Sequence, residues 1–185
     1  MIQEKLINNN QRDDYDYVIV TSIEKIINIG TIIFISIIAN KFIPSLLFLI
    51  FFYELRKRAG GYHAKSFLIC YVETIGTYIF ILYINSILAN QPTVLFCMLV
   101  ISFCIILGLG SVNHPNLHMS ITELTAAKKS SRILLFMEVT VIFFFELIGI
   151  EMAIISYMVT AVTMCAILMC MAKILGQEVK KYEKS

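Results

Sequence analysis

Long apolar blocks alternate along the chain with short polar segments that carry most of its Lys and Arg. Phe67–Leu88, Thr93–Leu109, Ile133–Ile150 and Met152–Ala172 reach or approach the roughly 20 residues that a helix needs to cross a bilayer core about 30 Å thick. Two earlier blocks, Ile26–Ala39 and Phe42–Leu55, are shorter and are separated by little more than Asn40 and Lys41. Each gives only about 21 Å of helix, which predicts either tilted spans in thinned membrane or a re-entrant hairpin buried against protein. The pattern predicts an all-α fold, a polytopic membrane helical bundle of about six membrane segments, the first two short. Upstream, Val18, Ile19, Ile23, Ile26 and Ile27 stand near helical spacing with Asp16, Glu24 and Lys25 between them. Residues 1–25 therefore read in two ways, as an interfacial amphipathic helix or as a helical extension of the first span.

Composition sharpens the membrane reading. The 185 residues are 58% hydrophobic and 15% charged, against roughly 45–50% and about a quarter in soluble domains. Pro/Gly/Ser-rich linkers, tandem repeats and low-complexity tracts are missing from the sequence, so 1–185 reads as a single integral membrane domain. Gly-x-Gly-x-x-Gly and P-loop patterns are also missing, which argues against a nucleotide-driven pump in this chain.

Charge placement sets the expected topology. The opening residues, MIQEKLINNNQRDDYDY, are polar and partly acidic, unlike a secretory signal, so the N-terminus is expected to stay in the cytoplasm. With six spans, every Lys and Arg except Lys41 then falls on the cytoplasmic side, as the positive-inside rule requires. The C-terminus is cytoplasmic on the same count. A hairpin that enters and leaves by one face keeps Arg56–Lys65 cytoplasmic as well. The net charge is only +2, and basic residues beside spans fit orientation in a lipid bilayer rather than a nucleic-acid partner.

Candidate chemistry concentrates in Glu54-Leu-Arg-Lys-Arg-Ala-Gly-Gly-Tyr-His-Ala-Lys-Ser-Phe-Leu-Ile-Cys70. A free thiol has a pKa near 8.5, so little nucleophilic thiolate exists at neutral pH. A neighbouring His takes the proton and nearby positive charge stabilises the anion, and His63 and Arg56-Lys-Arg offer both. Ser66 is a plausible N-cap for the third span, placing Cys70 in the first turns, where the helix dipole favours an anion. On one continuous helix His63 and Cys70 would stand about 10.5 Å apart, too far to hydrogen-bond. Their meeting requires a bend before Ser66, for which Gly60 and Gly61 supply the backbone freedom. Taken singly, each feature has a blander reading: Cys70 as an inert packing residue, the basic run as a topology signal, Gly-Gly as a turn.

The run Arg56-Lys-Arg-Ala-Gly-Gly-Tyr-His-Ala-Lys, with Cys70 following, resembles the signature of the accessory gene regulator B (AgrB) family. That signature comprises an Arg, a Gly-rich turn, a His-Ala pair and a Cys seven residues after the His. Chain length and multiple spans fit the same family. The resemblance implies a bacterial cell-membrane cysteine endopeptidase with its catalytic loop facing the cytoplasm, His63 as general base and Cys70 as nucleophile. It lends weight to Arg56 and Gly61 and, between the fourth and fifth blocks, to Lys128 and Lys129 as substrate-binding residues. The implied partner is a small AgrD-type precursor with an amphipathic N-terminal helix, a central Cys or Ser and an acidic tail. The implied product is a cyclic thiolactone or lactone quorum-sensing signal. A homodimer is a further expectation for the family. Backbone amides around Gly60 and Gly61 are candidate oxyanion donors, and an acidic tail would be drawn to Arg56, Lys57, Arg58, Lys128, Lys129 and Arg132.

Other polar residues leave alternatives open. Glu73 either orients His63 or, the blander reading, pairs with Arg56 or Lys65. Ser66 either lines the site or only caps its helix. Glu138 and Glu146 lie in an apolar block, where carboxylates are often functional, yet both sit towards its ends, within reach of the interface. His114 and His118 have helical metal spacing, but Pro115 argues against a preformed site, and neither metal nor cofactor is expected. Cys97, Cys104, Cys165 and Cys170 read as packing residues, with no disulfide framework. A different class stays open: a small membrane transporter or channel component without peptidase activity, its glutamates marking a proton or substrate path. A non-enzymatic scaffold is the third.

Overall fold

A computed structural model describes the backbone of residues 9–62, 66–112 and 121–177. Among the described residues there are six helices: α1 (Asn9–Ile38), α2 (Phe42–Ala59), α3 (Phe67–Leu88), α4 (Pro92–Leu109), α5 (Ile121–Leu147) and α6 (Met152–Ile174). The fold is all-α, as the apolar pattern predicts. α3 coincides with its predicted block, and α4 gains Pro92 at its first turn, where a missing N–H costs nothing. α5 stops at Leu147, short of the predicted Ile150, in a turn where Gly149 takes φ 77°.

The two short blocks are the apolar parts of longer helices. α1 runs without a break from Asn9, so residues 9–25 extend the first apolar segment, while 1–8 lie outside the described residues. α2 continues through Arg56-Lys-Arg to Ala59. Among the described residues, α3, α4 and α6 are long and apolar enough to cross a membrane by themselves. The other helices carry charge within their length: Glu24 and Lys25 in α1, Glu54 and Arg56-Lys-Arg in α2, Glu138 and Glu146 in α5.

α6 is the centre of the bundle. Within its most apolar stretch 61% is buried in protein, against 11% for α3 and 22% for α4. α2 and α4 pack on it most extensively, α3 and α5 complete the shell, and α1 lies over α2 and α3. Buried polar pairs tie helices together where apolar packing alone carries little specificity. Thr160 donates to Asn85 Oδ1 at 2.9 Å, Ser45 and Tyr78 share a 2.6 Å bond, and Ser102 donates to Thr163 at 3.1 Å. Glu138 is buried within the protein, 5% exposed, near Glu54 and Arg58 of α2. Neither of its carboxyl oxygens has a hydrogen-bond partner among the described residues.

One pole of the bundle gathers the elements that matter for chemistry. The C-terminal ends of α2 and α4 meet there, with the Val112 N–H bonded to the Ala59 carbonyl at 2.9 Å. The basic first half of α5 closes over the end of α4. Arg132 Nε donates to the Leu107 carbonyl at 3.1 Å, the Ser131 hydroxyl donates to the Gly110 carbonyl, and the Lys128 stem packs against Gly110. These side chains satisfy carbonyls that a helix end leaves without intrahelical donors. Arg58 bridges back from α2, donating to Ser130 Oγ at 2.8 Å and pairing with Glu54 at 3.7 Å.

Candidate functional site

The site is built on the way α2 ends. Its last turn carries Arg56, Lys57 and Arg58, a favourable place for cations against the helix dipole. Gly60 then terminates the helix with φ 70°, its N–H returning to the Arg56 carbonyl at 3.0 Å. Gly61 follows with φ 129°. Both glycines are required by contact as well as by backbone. A Cβ on Gly60 would stand 2.6 Å from the Val112 carbonyl oxygen. On Gly61 it would overlap Arg56 Nη1 and come within 3.1 Å of the Leu168 carbonyl.

That close approach serves Arg56. The guanidinium folds back over the turn, Nη1 donating to the Gly60 carbonyl and Nη2 to the Tyr62 carbonyl. Its pKa lies below the usual arginine value because of desolvation, opposed by the charges of Cys165, Cys70 and Tyr53. An arginine remains charged under such a shift. The cation therefore sits partly buried in the turn, with the Cys70 thiol of α3 and the Cys165 thiol of α6 within its field. Tyr62 is fixed from the other side by its N–H, which donates to the Leu168 carbonyl of α6 at 3.0 Å.

Cys70 approaches from α3. Ser66 has extended backbone, accepts from the Ile69 N–H at 3.5 Å and from the Cys70 N–H at its carbonyl at 3.0 Å. Ser66 is thus the N-cap of α3, and Cys70 stands half-buried in the first turn. Glu73 follows one turn further along α3. Desolvation first, then the charge and hydrogen bond of Glu73, hold the Tyr62 pKa above 10.0, so that hydroxyl remains a donor throughout the neutral range.

The expected residues are partly brought together. Arg56, Gly60, Gly61, Ser66, Cys70 and Glu73 converge at one pole, with Lys128 and Lys129 beside them on α5, Lys129 exposed and Lys128 partly covered. His63 and Lys65 lie outside the described residues, and with them the predicted approach of His63 to Cys70; so do His114 and His118. Among the described residues no ion pair joins Glu73 to Arg56, whose donors serve backbone carbonyls; the other expected partners of Glu73, His63 and Lys65, lie outside the described residues. The Gly60 N–H is engaged at the helix cap and is not a free oxyanion donor. Of the other thiols, Cys165 is buried and donates to the Phe52 carbonyl at 3.5 Å, while Cys97 and Cys104 are exposed on the outer face of α4.

Sequence reasoning missed Tyr62, Cys165 and Leu168. Tyr62 stood in the motif, between Gly61 and His63, but the Leu168 carbonyl that holds its N–H lies on α6 and no spacing reveals it.

A family model described as accessory gene regulator B (AgrB) matches residues 1–174. The chain belongs to the AgrB family. The match runs from before α1 to the last residue of α6 and so takes in every element of the pole. No curated protein and no solved structure matches the chain. AgrB membership, with the apolar helices, makes this an accessory membrane protein of quorum sensing, from a family that processes peptides and works with AgrD-type precursors.

Proposed function

We propose that the protein is a membrane-embedded cysteine endopeptidase that removes the acidic tail of an AgrD-type precursor and closes the remainder into a cyclic thiolactone or lactone. It is multi-pass in the bacterial cell membrane, with the Arg56 pole facing the cytoplasm. One observation carries the reading: in an AgrB family member, Cys70 sits in the first turn of α3, beneath its Ser66 cap and within the field of the Arg56 guanidinium.

The chemistry proceeds in two exchanges. His63 takes the Cys70 proton, and the sulfur attacks the carbonyl at the tail junction. The peptide bond breaks, the proton passes from His63 to the leaving amine, and the rest of the precursor remains as a thioester on Cys70. With the Gly60 N–H engaged, the oxyanion role of the glycine pair falls to Gly61. The precursor's own Cys or Ser then attacks the thioester, forming the ring and returning the thiol to Cys70. Thioester exchange is nearly balanced in energy, so shielding from water at the lipid boundary favours ring closure over hydrolysis. Lys128 and Lys129 lie at the same pole and attract the acidic tail.

Replacing Cys70 by Ala tests the reading. Precursor cleavage is expected to vanish while membrane insertion and thermal unfolding stay as in the parent protein. Undiminished cleavage rejects it and favours the transporter reading, which would rest on Glu138.

A further inference from the structure

The hydroxyl of Tyr71, the residue next to Cys70, stands 3.2 Å from Thr31 Oγ1 of α1. Thr31 donates its own proton to the Ile27 carbonyl, one turn earlier in α1, at 2.9 Å. A threonine hydroxyl has one proton to give, so towards Tyr71 its oxygen accepts and Tyr71 is the donor. The groups form a chain, from Tyr71 through Thr31 to the Ile27 carbonyl, in which each bond polarises the next. On its own helix the Tyr71 ring is braced by Phe67, the first residue of α3, with ring centroids 6.0 Å apart.

This bond acts where α3 has little burial to hold it. The buried residues of α3 are Tyr78, Ile81, Asn85 and Leu88, all in its distal part. At the Cys70 end, Leu68 is 71% exposed and Val72 61%. Burial of apolar surface therefore does little to fix this end of the helix. The acceptor, by contrast, stands on a fixed part of α1: Thr31 is followed directly by Ile32, which is buried in the core. Because α1 packs on both α2 and α3, a bond from Tyr71 to α1 ties the Cys70 turn to the helix that also covers α2, whose end carries Arg56.

We propose that Tyr71 is a positioning residue, whose hydroxyl bond to Thr31 of α1 sets where the Cys70-bearing turn of α3 stands. The inference rests on Cys70 being the nucleophile. It adds a pair of residues that act through Cys70 without touching substrate. Nucleophile placement matters to the chemical step and not to precursor binding, because small misplacement lowers rate without removing binding contacts.

The full-length protein in liposomes, given a synthetic precursor with a mid-chain Cys and an acidic tail, provides the test. Tyr71→Phe and Thr31→Val are each expected to lower kcat about 3- to 10-fold, as suits one hydrogen bond, with KM unchanged. Thr31→Ser keeps the accepting hydroxyl and is expected to retain most of the rate. Because both substitutions remove the same bond, the Tyr71→Phe/Thr31→Val pair is expected to be no slower than the slower single variant. Rates are taken per mole of folded protein, below the unfolding midpoint of every variant, so loosening of the whole bundle is not mistaken for misplacement. The bond is broken from either helix, so a single variant that fails to fold leaves the other to decide. Parent-like kcat in a folded single variant, additive losses, a Thr31→Ser rate as low as that of Thr31→Val, or a rise in KM with kcat intact would each overturn the proposal while Cys70→Ala remains inactive. Cleavage by Cys70→Ala would overturn the peptidase reading itself.

Discussion

Arg56 donates to the carbonyl of Tyr62, the residue that leads directly into His63. The same guanidinium holds the Gly60 carbonyl, so one planar cation clamps both ends of the glycine turn. A lysine ammonium carries the charge but cannot present two fixed donors in this way. Arg56→Lys is therefore expected to lose most cleavage activity despite keeping its charge. Arg56→Met is expected to cost in addition about 1.5–3 kcal/mol of stability, the usual worth of hydrogen bonds to a charged group. Thermal unfolding in detergent and cleavage assays check the two effects separately; parent-like activity in Arg56→Lys would show that charge alone suffices.

The two glycines should fail for different reasons. Gly60→Ala drives a Cβ onto the Val112 carbonyl at 2.6 Å with φ at 70°, so the contact between the ends of α2 and α4 must open. Backbone strain at such positions costs about 1–3 kcal/mol, and the unfolding midpoint is expected to fall. Gly61→Ala places its methyl on Arg56 Nη1 and displaces the clamp. Its loss of cleavage is expected to resemble that of Arg56→Met, and combining the two should add little.

How much of this was legible in the sequence follows from the range of each interaction. Apolar blocks fixed α3, α4 and α6 nearly to the residue, because span length is a local property read against bilayer thickness. The extent of α1 and α2 was not legible that way, since their helices run on through Asp, Glu, Lys and Arg that hydropathy excludes. Ser66 as a cap and Gly60-Gly61 as a bend came from local backbone chemistry. The Arg56 contacts to the Gly60 and Tyr62 carbonyls, the Tyr62 bond to Leu168 and the burial of Glu138 did not, because they depend on how the turn folds back and how the helices pack. For Glu73 the sequence left His63, Arg56 and Lys65 open as partners, and the backbone carbonyls of Gly60 and Tyr62 take the donors of Arg56.

Thiol accessibility should report the sidedness of the pole. Cys70 is half-buried beside the basic turn, Cys165 is buried in the core, and Cys97 and Cys104 face outwards from an apolar helix. A membrane-impermeant charged maleimide is expected to label Cys70 in inside-out vesicles and not in intact cells. Cys165 is expected to react only after denaturation. Labelling of Cys70 from the outside of intact cells would reverse the proposed orientation.

Lys129 is exposed at the pole, while the stem of its neighbour Lys128 packs on Gly110. Charge reversal by Lys129→Glu is expected to raise KM for a precursor with an acidic tail and to leave kcat unchanged. The effect should shrink at high salt, as screening predicts, and disappear for a precursor whose tail carboxylates are replaced by amides. An equal rise for the neutral tail would mean that the residue contributes packing and not attraction.

The most direct test of the central claim is the intact mass of the protein quenched in acid during turnover of a synthetic precursor. The predicted adduct has the mass of the precursor without its tail, maps to the peptide bearing Cys70, is released by hydroxylamine, and is missing from Cys70→Ala. Tail release that continues with Cys70 unmodified, or in its absence, would contradict the account.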